Sequence, residues 1–350
     1  MLYHTVSIGS VVLPGNLFLA PVAGYSDRAF RSVCRAGGAN FTYTEMVSAE
    51  ALVRGSDKTK LLMARALNET QYAVQLFGGN PEVVSKAVDL ILSGKLSKDI
   101  PEVIDINAGC PVPKIVKTGA GSALTREPKR LYEITKAAVQ AVEKNNKNIP
   151  VTVKIRSGWD SSCITWKEAA TAAIEAGAQA ITLHGRTRAQ GYEGFADWQV
   201  LSDLVFFVAD KTGGKIPVFG SGDVFSPKAA KEMLEQTGCS AVMFARGAMG
   251  NPFVFVQTQQ LLTQGYFEEI PPTKRILAGM EELECLICDN GEFSACKQMR
   301  KRFCAYSKGV PGGAELRSAI ISANTKKDYI NLFSNAGLLN LQNMDSIKVT

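Results

Sequence analysis

The chain has 350 residues, of which 46% are hydrophobic and 21% are charged, and its formal net charge at pH 7 is +6. These values are typical of a soluble globular protein that is large enough to bury a sizeable core without disulfides. The small excess of Lys and Arg permits an anionic partner but does not require one. No basic leader and no stretch of about 18 apolar residues is visible, so we expect a cytoplasmic protein without a membrane span.

Eight short apolar runs predict buried strands, because each is brief and rich in Val, Ile, Phe and Thr. They are Leu17–Gly24, Phe41–Val47, Tyr72–Gly78, Val103–Cys110, Val151–Gly158, Ala180–Thr187, Pro217–Val224 and Ser240–Ala248. Helical patterns between them cover Asp27–Ala36, Pro81–Ser93, Pro128–Glu143, Trp166–Ala176 and Pro227–Gln236. This alternation predicts parallel strands with crossover helices, and eight units predict a TIM (β/α)₈ barrel. An open doubly wound sheet is the alternative, but no Gly-x-Gly-x-x-Gly follows the first strand.

The pattern changes after Pro252, where segments 273–289, 294–307 and 314–324 have helical character and no strand-like run appears. We therefore predict a barrel domain of residues 1–252 and an all-helical domain of residues 253–350. The second helical segment carries a run of cations, Lys297, Arg300, Lys301 and Arg302, beside an apolar stripe. Such a run usually forms a solvated face, whereas the functional interpretation is a surface that contacts phosphates.

Eight cysteines are scattered along the chain, and in a cytoplasmic protein they are expected to be reduced. Cys285 and Cys288 form a Cys-x-x-Cys pair, with Cys296 and Cys304 further on. A zinc site would usually need a second such pair, and this segment has a helical pattern. We predict buried thiols and no metal site.

The carboxyl ends of the predicted strands are unusually polar, and in a TIM barrel the active site lies at these ends. Gln75, Lys154 and His184 stand on strands whose burial on both faces favours apolar residues. Either these side chains neutralise one another inside the barrel, or they face a polar ligand. Gly-rich turns at 220–223 and 245–247 follow the last two strands and predict a phosphate site.

Cys110 lies just after the fourth predicted strand, between Gly109 and Pro111. Glycine removes bulk and proline fixes the backbone, so the direction of the thiol is set. An unperturbed thiol is mostly protonated near pH 7 and can donate a proton. An inert loop cysteine is the alternative.

Several motifs together resemble those of the dihydrouridine synthases. They lie at 20–27 with Phe30-Arg31, and at 107–114, 119–124, 153–156, 183–187, 191–198 and 220–223. Their order and spacing agree with the family over residues 15–255, and the stretch 300–317 is similar to the helical domain of the bacterial B-type subfamily. Val22, Tyr25-Ser26 and Gly220-Ser221 depart from the usual family residues, but none of these changes removes a group with a chemical role.

The resemblance implies an FMN-dependent tRNA-dihydrouridine synthase that uses NADPH, with uridine 17 of the tRNA D-loop as the suspected target. Reduced FMN would pass hydride to carbon 6 of a flipped-out uracil, and Cys110 would protonate carbon 5. The cofactor-binding residues would be Pro21, Val22, Ala23, Gln75, Lys154 and His184 around the ring, and Gly220, Ser221, Gly222, Asp223, Ala245, Arg246 and Gly247 around the phosphate. The substrate-binding residues would be Asn107, Arg156, Arg186, Lys297, Arg300, Lys301 and Arg302. No membrane and no obligate protein partner is implied.

Two other functions stay open at the level of sequence. A flavin barrel that acts on a free pyrimidine, similar to the dihydroorotate dehydrogenases, is disfavoured by the basic helical tail. A tRNA-binding module without catalytic activity is disfavoured by the presence of Cys110, Lys154 and His184.

Overall fold

The structure is a computed structural model that describes residues 1–340. Its strands are β1 (Val6–Ile8), β2 (Val11–Leu13), β3 (Leu17–Leu19), β4 (Phe41–Thr42), β5 (Val47–Ser48), β6 (Ala73–Phe77), β7 (Val103–Ala108), β8 (Val151–Asp160), β9 (Cys163–Ile164), β10 (Ile181–Thr187), β11 (Val218–Ser221) and β12 (Ala241–Phe244). Its helices are α1 (Arg28–Ala36), α2 (Ala49–Val53), α3 (Asp57–Leu62), α4 (Pro81–Leu92), α5 (Pro113–Val116), α6 (Pro128–Lys144), α7 (Trp166–Ala176), α8 (Trp198–Thr212), α9 (Pro227–Thr237), α10 (Val254–Gln264), α11 (Pro272–Asn290), α12 (Glu292–Tyr306), α13 (Gly313–Ser322) and α14 (Lys326–Asn335). Short 3₁₀ turns cover Gly121–Arg126 and Arg246–Ala248.

A parallel sheet forms the wall of a barrel. Its strands follow the order β4, β3, β12, β11, β10, β8, β7, β6, β5, and β9 pairs antiparallel with β8. β4 and β5 are the two halves of one predicted strand, and a parallel bridge between Tyr43 and Ala73 joins this segment to the strand beside it. The predicted (β/α)₈ barrel is therefore confirmed.

The second predicted strand, Phe41–Val47, is broken over residues 43–46. The backbone N–H of Gln75 donates to Oγ1 of Thr44 at 3.1 Å, while the N–H of Thr44 donates to the carbonyl of Ala73 at 3.0 Å. A side-chain oxygen thus takes the place of a backbone acceptor, and the regular ladder stops there. The break brings Glu45 to the backbone of Gly24, whose N–H donates to Oε2 of Glu45 at 2.5 Å.

An N-terminal hairpin that sequence analysis missed is packed against the barrel strands. β1 and β2 pair antiparallel, and the buried side chains of Val6, Ile8 and Leu13 belong to one cluster with aromatic residues of the strands. The ring of Phe18 lies 5.7 Å from that of Phe41 and 5.1 Å from that of Phe219, both edge to face. Because this cluster is hydrophobic, the polar side chains that can take part in chemistry lie at the carboxyl ends of the strands.

The five helices predicted between the strands are present, and local residues explain where they begin and end. Asn80 and Ser226 cap α4 and α9 with their side chains, and each is followed by proline. α7 and α9 end at Gly177 and Gly238, both left-handed. Sequence analysis missed α2, α3, α5, α8, α10 and α14, several of which are short.

The three predicted tail helices are confirmed as α11, α12 and α13, and they form a second buried cluster with α14. α10 packs on the barrel instead, because Val254 and Phe255 belong to the barrel core and the ring of Phe255 lies 5.1 Å from that of Phe244. The break in core packing therefore falls in the link 265–271, after the boundary predicted at residue 252. The end of the predicted helical domain, 341–350, lies outside the described residues.

Within residues 1–340 no helix is long and apolar enough to cross a membrane. Within residues 1–340, which include all eight cysteines, no disulfide is formed. Cys285 is buried in α11 whereas Cys288, one turn later, is exposed. No group of three or more His, Cys, Asp or Glu side chains in the described part of the chain is arranged to hold a metal ion.

Candidate active site

A cavity opens at the carboxyl ends of the barrel strands, where sequence analysis expected the active site. Thirteen of the predicted site residues line it: Pro21, Val22, Ala23, Gln75, Asn107, Cys110, Lys154, Arg156, His184, Ser221, Asp223, Ala245 and Arg246. The predicted residues from the helical tail do not line it, and neither do Arg186, Gly220, Gly222 and Gly247. The barrel thus brings together side chains that are far apart in the sequence.

A buried carboxylate that sequence analysis missed contacts Gln75 in the lining of this cavity. Asp105 accepts hydrogen bonds from Nε2 of Gln75 and from Oγ1 of Thr152, both at 2.6 Å. Burial raises the pKa of Asp105 to about 6, although these hydrogen bonds and the charge of Lys154 act in the other direction. Gln75 in turn accepts from Nδ2 of Asn107 at 2.8 Å. The network fixes the amides of Gln75 and Asn107 in one orientation.

Lys154 is a half-buried cation that forms no ion pair and no hydrogen bond with the described residues. Burial lowers its pKa to about 8, with a further contribution from the charge of Arg156. Among the described residues no carboxylate lies within 4.0 Å of its ammonium group, and it donates no hydrogen bond there. Burial and the neighbouring charge of Lys154 also hold the pKa of His184 far below its usual range. At neutral pH the cavity therefore combines a cation with a neutral imidazole.

The turn after β11 has the backbone of an anion site. Gly222 and Asp223 have φ values of +115° and +56°, and a Cβ on Gly222 would lie 2.8 Å from Cδ2 of His184. Within residues 1–340 the N–H groups of Gly222, Asp223, Arg246 and Gly247 donate no hydrogen bond. Unsatisfied N–H groups on two adjacent turns form a cradle for an anion such as a phosphate.

Two arginines hold the Asp223 carboxylate. Nη1 and Nη2 of Arg186 each donate to it at 2.8 Å, and Nη2 of Arg246 donates to Oδ1 at 3.1 Å. Arg186 is 1% exposed and also donates to the carbonyls of Glu193 and Gly194. Its donors are thus occupied by the protein, which does not fit the predicted contact with substrate. Arg186 instead holds the loop after β10 against Asp223.

The loop that carries Cys110 is held by side chains of the same cavity. Oδ1 of Asn107 accepts from the backbone N–H groups of Gly109 and Cys110 at 3.1 and 2.9 Å. Nε of Arg156 donates to the carbonyl of Gly109 at 2.8 Å. Burial raises the pKa of the Cys110 thiol, against the opposing effects of a backbone hydrogen bond and two nearby cations. The thiol is therefore protonated at neutral pH.

The loop 20–27 lies between the cavity and the helical tail. Pro21, Val22 and Ala23 line the cavity, whereas the carbonyl of Gly24 accepts from Nζ of Lys301 at 2.6 Å. Nη2 of Arg302 contacts Oδ2 of Asp27 at 2.5 Å. The helical tail therefore supports one wall of the cavity.

Arg302 was predicted to contact RNA, and the structure contradicts that prediction. Its side chain is 1% exposed and pairs with both Asp27 and Glu282, while the hydroxyl of Tyr306 donates to Glu282 at 2.6 Å. Arg300 also has protein partners, since Nη2 donates to Asn324 at 2.8 Å. Lys297 and Lys301 are both exposed; Lys297 lies over the ring of Phe293, whereas Nζ of Lys301 donates to the carbonyl of Gly24.

Several known proteins are similar to this chain in sequence over nearly its whole length. The sequence model of the dihydrouridine synthase family matches residues 18–342. The chain is 54% identical to a probable tRNA-dihydrouridine synthase of Treponema pallidum over 96% of this chain and 97% of that protein. It is 36% identical to tRNA-dihydrouridine synthase B of Pseudomonas aeruginosa over 89% of this chain and 90% of that protein.

Solved structures share the fold at low identity. A variant of NCR from Zymomonas mobilis has a TM-score of 0.51 and 13% identity, covering 78% of this chain and 94% of that chain. The DHODH of Eimeria tenella, solved in complex with ferulenol, has a TM-score of 0.52 and 15% identity, covering 74% and 83%. These two likenesses concern the fold alone, whereas the family match and the two relatives span nearly the whole sequence. The chain belongs to the dihydrouridine synthase family.

Proposed function

We propose that this protein is an FMN-dependent tRNA-dihydrouridine synthase that uses NADPH as reductant and acts in the cytoplasm. One observation carries the proposal: an unpaired lysine, a cradle of free backbone N–H groups and a protonated cysteine converge on one cavity in a chain of this family. Both relatives described above are named for action on tRNA. The B-type resemblance favours uridine 17 of the D-loop as the target.

The donor groups of the cavity fit FMN. The free N–H groups of Gly222, Asp223, Arg246 and Gly247 suit a phosphate, and the Arg246 guanidinium adds positive charge. Lys154 suits the electron-rich edge of a reduced isoalloxazine ring, and Gln75 retains a second N–H for the same ring. Pro21, Val22 and Ala23 supply apolar contact. When bound and reduced, FMN supplies the hydride that goes to carbon 6 of the uracil.

The uracil is held by groups that also fix the Cys110 loop. Arg156 uses Nε and Nη1 to bind backbone carbonyls, and its Nη2 donates to none of the described residues. Nη2 is therefore available for a uracil carbonyl oxygen. The amide of Asn107 is oriented by Gln75, and the acceptor of its second N–H is the sulfur of Met46 at 3.8 Å, a weak acceptor that a uracil oxygen can replace. Both residues bind and orient the base, and a flipped-out base pays a few kcal/mol of unstacking that such contacts offset.

Cys110 delivers the proton to carbon 5 of the uracil. Because its pKa is raised, the thiol carries its proton at neutral pH. Nearby Lys154 and Arg156 act on the thiol in the opposite direction and stabilise the thiolate that remains after the transfer. General-acid catalysis of this kind contributes about 10²- to 10⁴-fold to the rate.

The direct test incubates purified protein with FMN, NADPH and an unmodified tRNA transcript, and maps dihydrouridine by mass spectrometry. We expect dihydrouridine at one D-loop site and a rate about 10²- to 10⁴-fold lower for Cys110→Ala. Cys163→Ala, a change at another free and half-buried thiol, serves as the matched control and should retain the wild-type rate.

Three outcomes would contradict the proposal in different ways. A wild-type rate in Cys110→Ala would show that Cys110 takes no part in the reaction. NADPH oxidation without dihydrouridine in the tRNA would reject the tRNA assignment. Reduction of free uridine or oxidation of dihydroorotate in parallel reactions would point to a small pyrimidine as the substrate.

A further inference from the structure

Two arginines lie over one indole ring beside the cavity. Cζ of Arg126 is 3.7 Å from the ring centroid of Trp159, and Cζ of Arg188 is 4.6 Å from it. Arg126 ends the 3₁₀ turn Gly121–Arg126, Trp159 is near the end of β8, and Arg188 directly follows β10. We call these three residues the arginine–tryptophan stack.

The stack is attached to the wall that carries Cys110. The N–H of Ser122, in the same 3₁₀ turn as Arg126, donates to the carbonyl of Cys110 at 3.0 Å. The N–H of Arg188 donates to the carbonyl of Gly158 at 2.9 Å, and that of Ala189 donates to Trp159 at 2.8 Å. Strand β8 also carries Lys154 and Arg156. The stack therefore stands at the same end of the barrel as the cavity and is fixed by the backbone.

Neither arginine of the stack forms an ion pair with a carboxylate of the described residues. Within residues 1–340 no carboxylate lies within 4.0 Å of Arg126 or Arg188, whereas exposed Arg54 and Arg130 pair with glutamates. The neighbouring Asp160 forms no direct pair with them: its Oδ1 accepts from the N–H and the hydroxyl of Ser162 at 2.9 and 2.7 Å, and the charge of Arg126 makes only a minor contribution to the lowered pKa of this carboxylate. Nε of Arg188 is buried and has no hydrogen-bond partner in the described structure.

A stacked guanidinium keeps its N–H edges free for an anion. The ring of Trp159 fixes the plane of each guanidinium, which reduces the conformational entropy lost when a ligand binds. Planar guanidinium groups suit phosphate oxygens, because two N–H donors can engage one phosphate. Two such groups around a common ring therefore form a preorganised site for phosphate.

The chemistry of the proposed reaction favours the RNA backbone as the source of that phosphate. A nucleotide that flips into the cavity leaves its flanking phosphates at the rim. The FMN phosphate is accounted for by the turns after β11 and β12, which contain the free N–H groups. Two further exposed cations follow the Cys110 loop: Lys114 in α5 and Lys117 directly after it.

We propose that Arg126 and Arg188, stacked on Trp159, bind the phosphodiester backbone of the RNA strand that carries the target uridine. This inference rests on the proposed function and names the residues through which the substrate strand is held. Because the contacts are to phosphate, they give affinity and register and no base specificity.

The test measures binding of an unmodified tRNA transcript to FMN-loaded protein over a series of KCl concentrations. Arg126→Gln and Arg188→Gln are each expected to raise Kd about tenfold and to reduce the salt dependence by about one released counterion. Arg130→Gln, four residues from Arg126 but paired with Glu133 on α6, is the matched control and should bind like the wild type. Trp159→Leu should weaken binding even though both arginines remain.

The other outcomes overturn the inference. If the arginine variants bind tRNA with the wild-type Kd and salt slope, the stack holds no RNA phosphate. If tRNA binding stays the same while the KM for NADPH or the inhibition constant of inorganic phosphate rises, the site serves the dinucleotide or free phosphate. The binding measurement does not depend on turnover. A wild-type protein that binds tRNA but forms no dihydrouridine would therefore reject the proposed function, while the Kd values of the arginine variants would still decide whether the stack binds RNA phosphate.

Discussion

Two regions of the molecule partly or fully remove cations from solvent and differ in the groups that neutralise their charge. Where the barrel meets the helical tail, Arg302 is 1% exposed and pairs with two carboxylates; within the barrel, buried Arg31 likewise pairs with Glu69 at 2.7 Å. At the mouth of the barrel, Lys154 has no carboxylate within 4.0 Å among the described residues. Desolvation disfavours the charged form of both Lys154 and Arg302, so the difference between the two regions lies in which groups neutralise the charge.

The comparison separates structural from functional cations. Pairing offsets the desolvation of Arg302, and its guanidinium is committed to holding Asp27 and Glu282. Lys154 bears its desolvation without such an offset, as the lowered pKa indicates. An unpaired, desolvated cation raises the free energy of the empty site. Binding of an electron-rich ligand offsets this cost, so such a cation is expected in a cofactor pocket.

Removing the paired cation should have the largest effect on stability. Arg302→Met leaves Asp27 and Glu282 facing each other without a counter-charge, and loss of one partner of a buried pair costs about 3–5 kcal/mol. The free energy of unfolding from urea denaturation measures this loss. Arg54→Met removes an exposed pair with Glu50 and should change the same quantity by less than about 1 kcal/mol. Equal losses in the two variants would mean that the interface network does not hold the domains together.

Removing the unpaired cation should stabilise the flavin-free protein. Lys154 has a pKa of about 8 in the fold, below its ordinary value of 10.5, so its charge opposes folding at pH 7. Flavin-free Lys154→Met should therefore have a higher Tm than the flavin-free wild type. The destabilisation is fully present below pH 8 and disappears as pH rises towards 10.5, so the difference in Tm should shrink over that window. A lower Tm for the variant at pH 7 would show that Lys154 is a structural residue.

Asp105 should have the smallest effect, through the charge of Lys154. Its carboxylate raises the pKa of Lys154, so Asp105→Asn should lower that pKa further. FMN affinity depends on charged Lys154 and should fall with a midpoint near pH 8 in the wild type, and at a pH lower by up to about one unit in the variant. Thr152→Val removes a hydrogen bond to Asp105 but keeps the carboxylate, and serves as the control. An unchanged midpoint in Asp105→Asn would show that the Asp105 carboxylate does not influence the pKa of Lys154.

The barrel and most of the cavity could be predicted from the sequence, because strand ends converge in this fold wherever they lie in the chain. Asp105 was missed although a signal existed: it stands two residues before Asn107, on the same face of β7, where alternation places side chains together. The N-terminal hairpin was missed because two three-residue strands give too little periodicity.

Arg302 shows what a cation run does not reveal. It lies three residues after Met299 and four before Tyr306, so helical periodicity places it on the buried stripe of α12. Its partners, Asp27 and Glu282, are set by tertiary packing between distant segments, and no local pattern indicates them. The arginine–tryptophan stack was missed for the same reason, because its three residues come from three separate loops and strand ends.

The measurement that tests the account most directly is a titration of FMN into flavin-free protein, followed by flavin fluorescence. We expect the wild type to bind one equivalent and Lys154→Met to bind at least about tenfold more weakly, since hydrogen bonds to charged groups contribute about 1.5–3 kcal/mol. Lys117→Met, a change at an exposed lysine outside the cavity, should bind like the wild type. Equal affinity of Lys154→Met and the wild type, or a wild type that does not bind FMN, would contradict the claim that the unpaired groups at the mouth of the barrel form a flavin site.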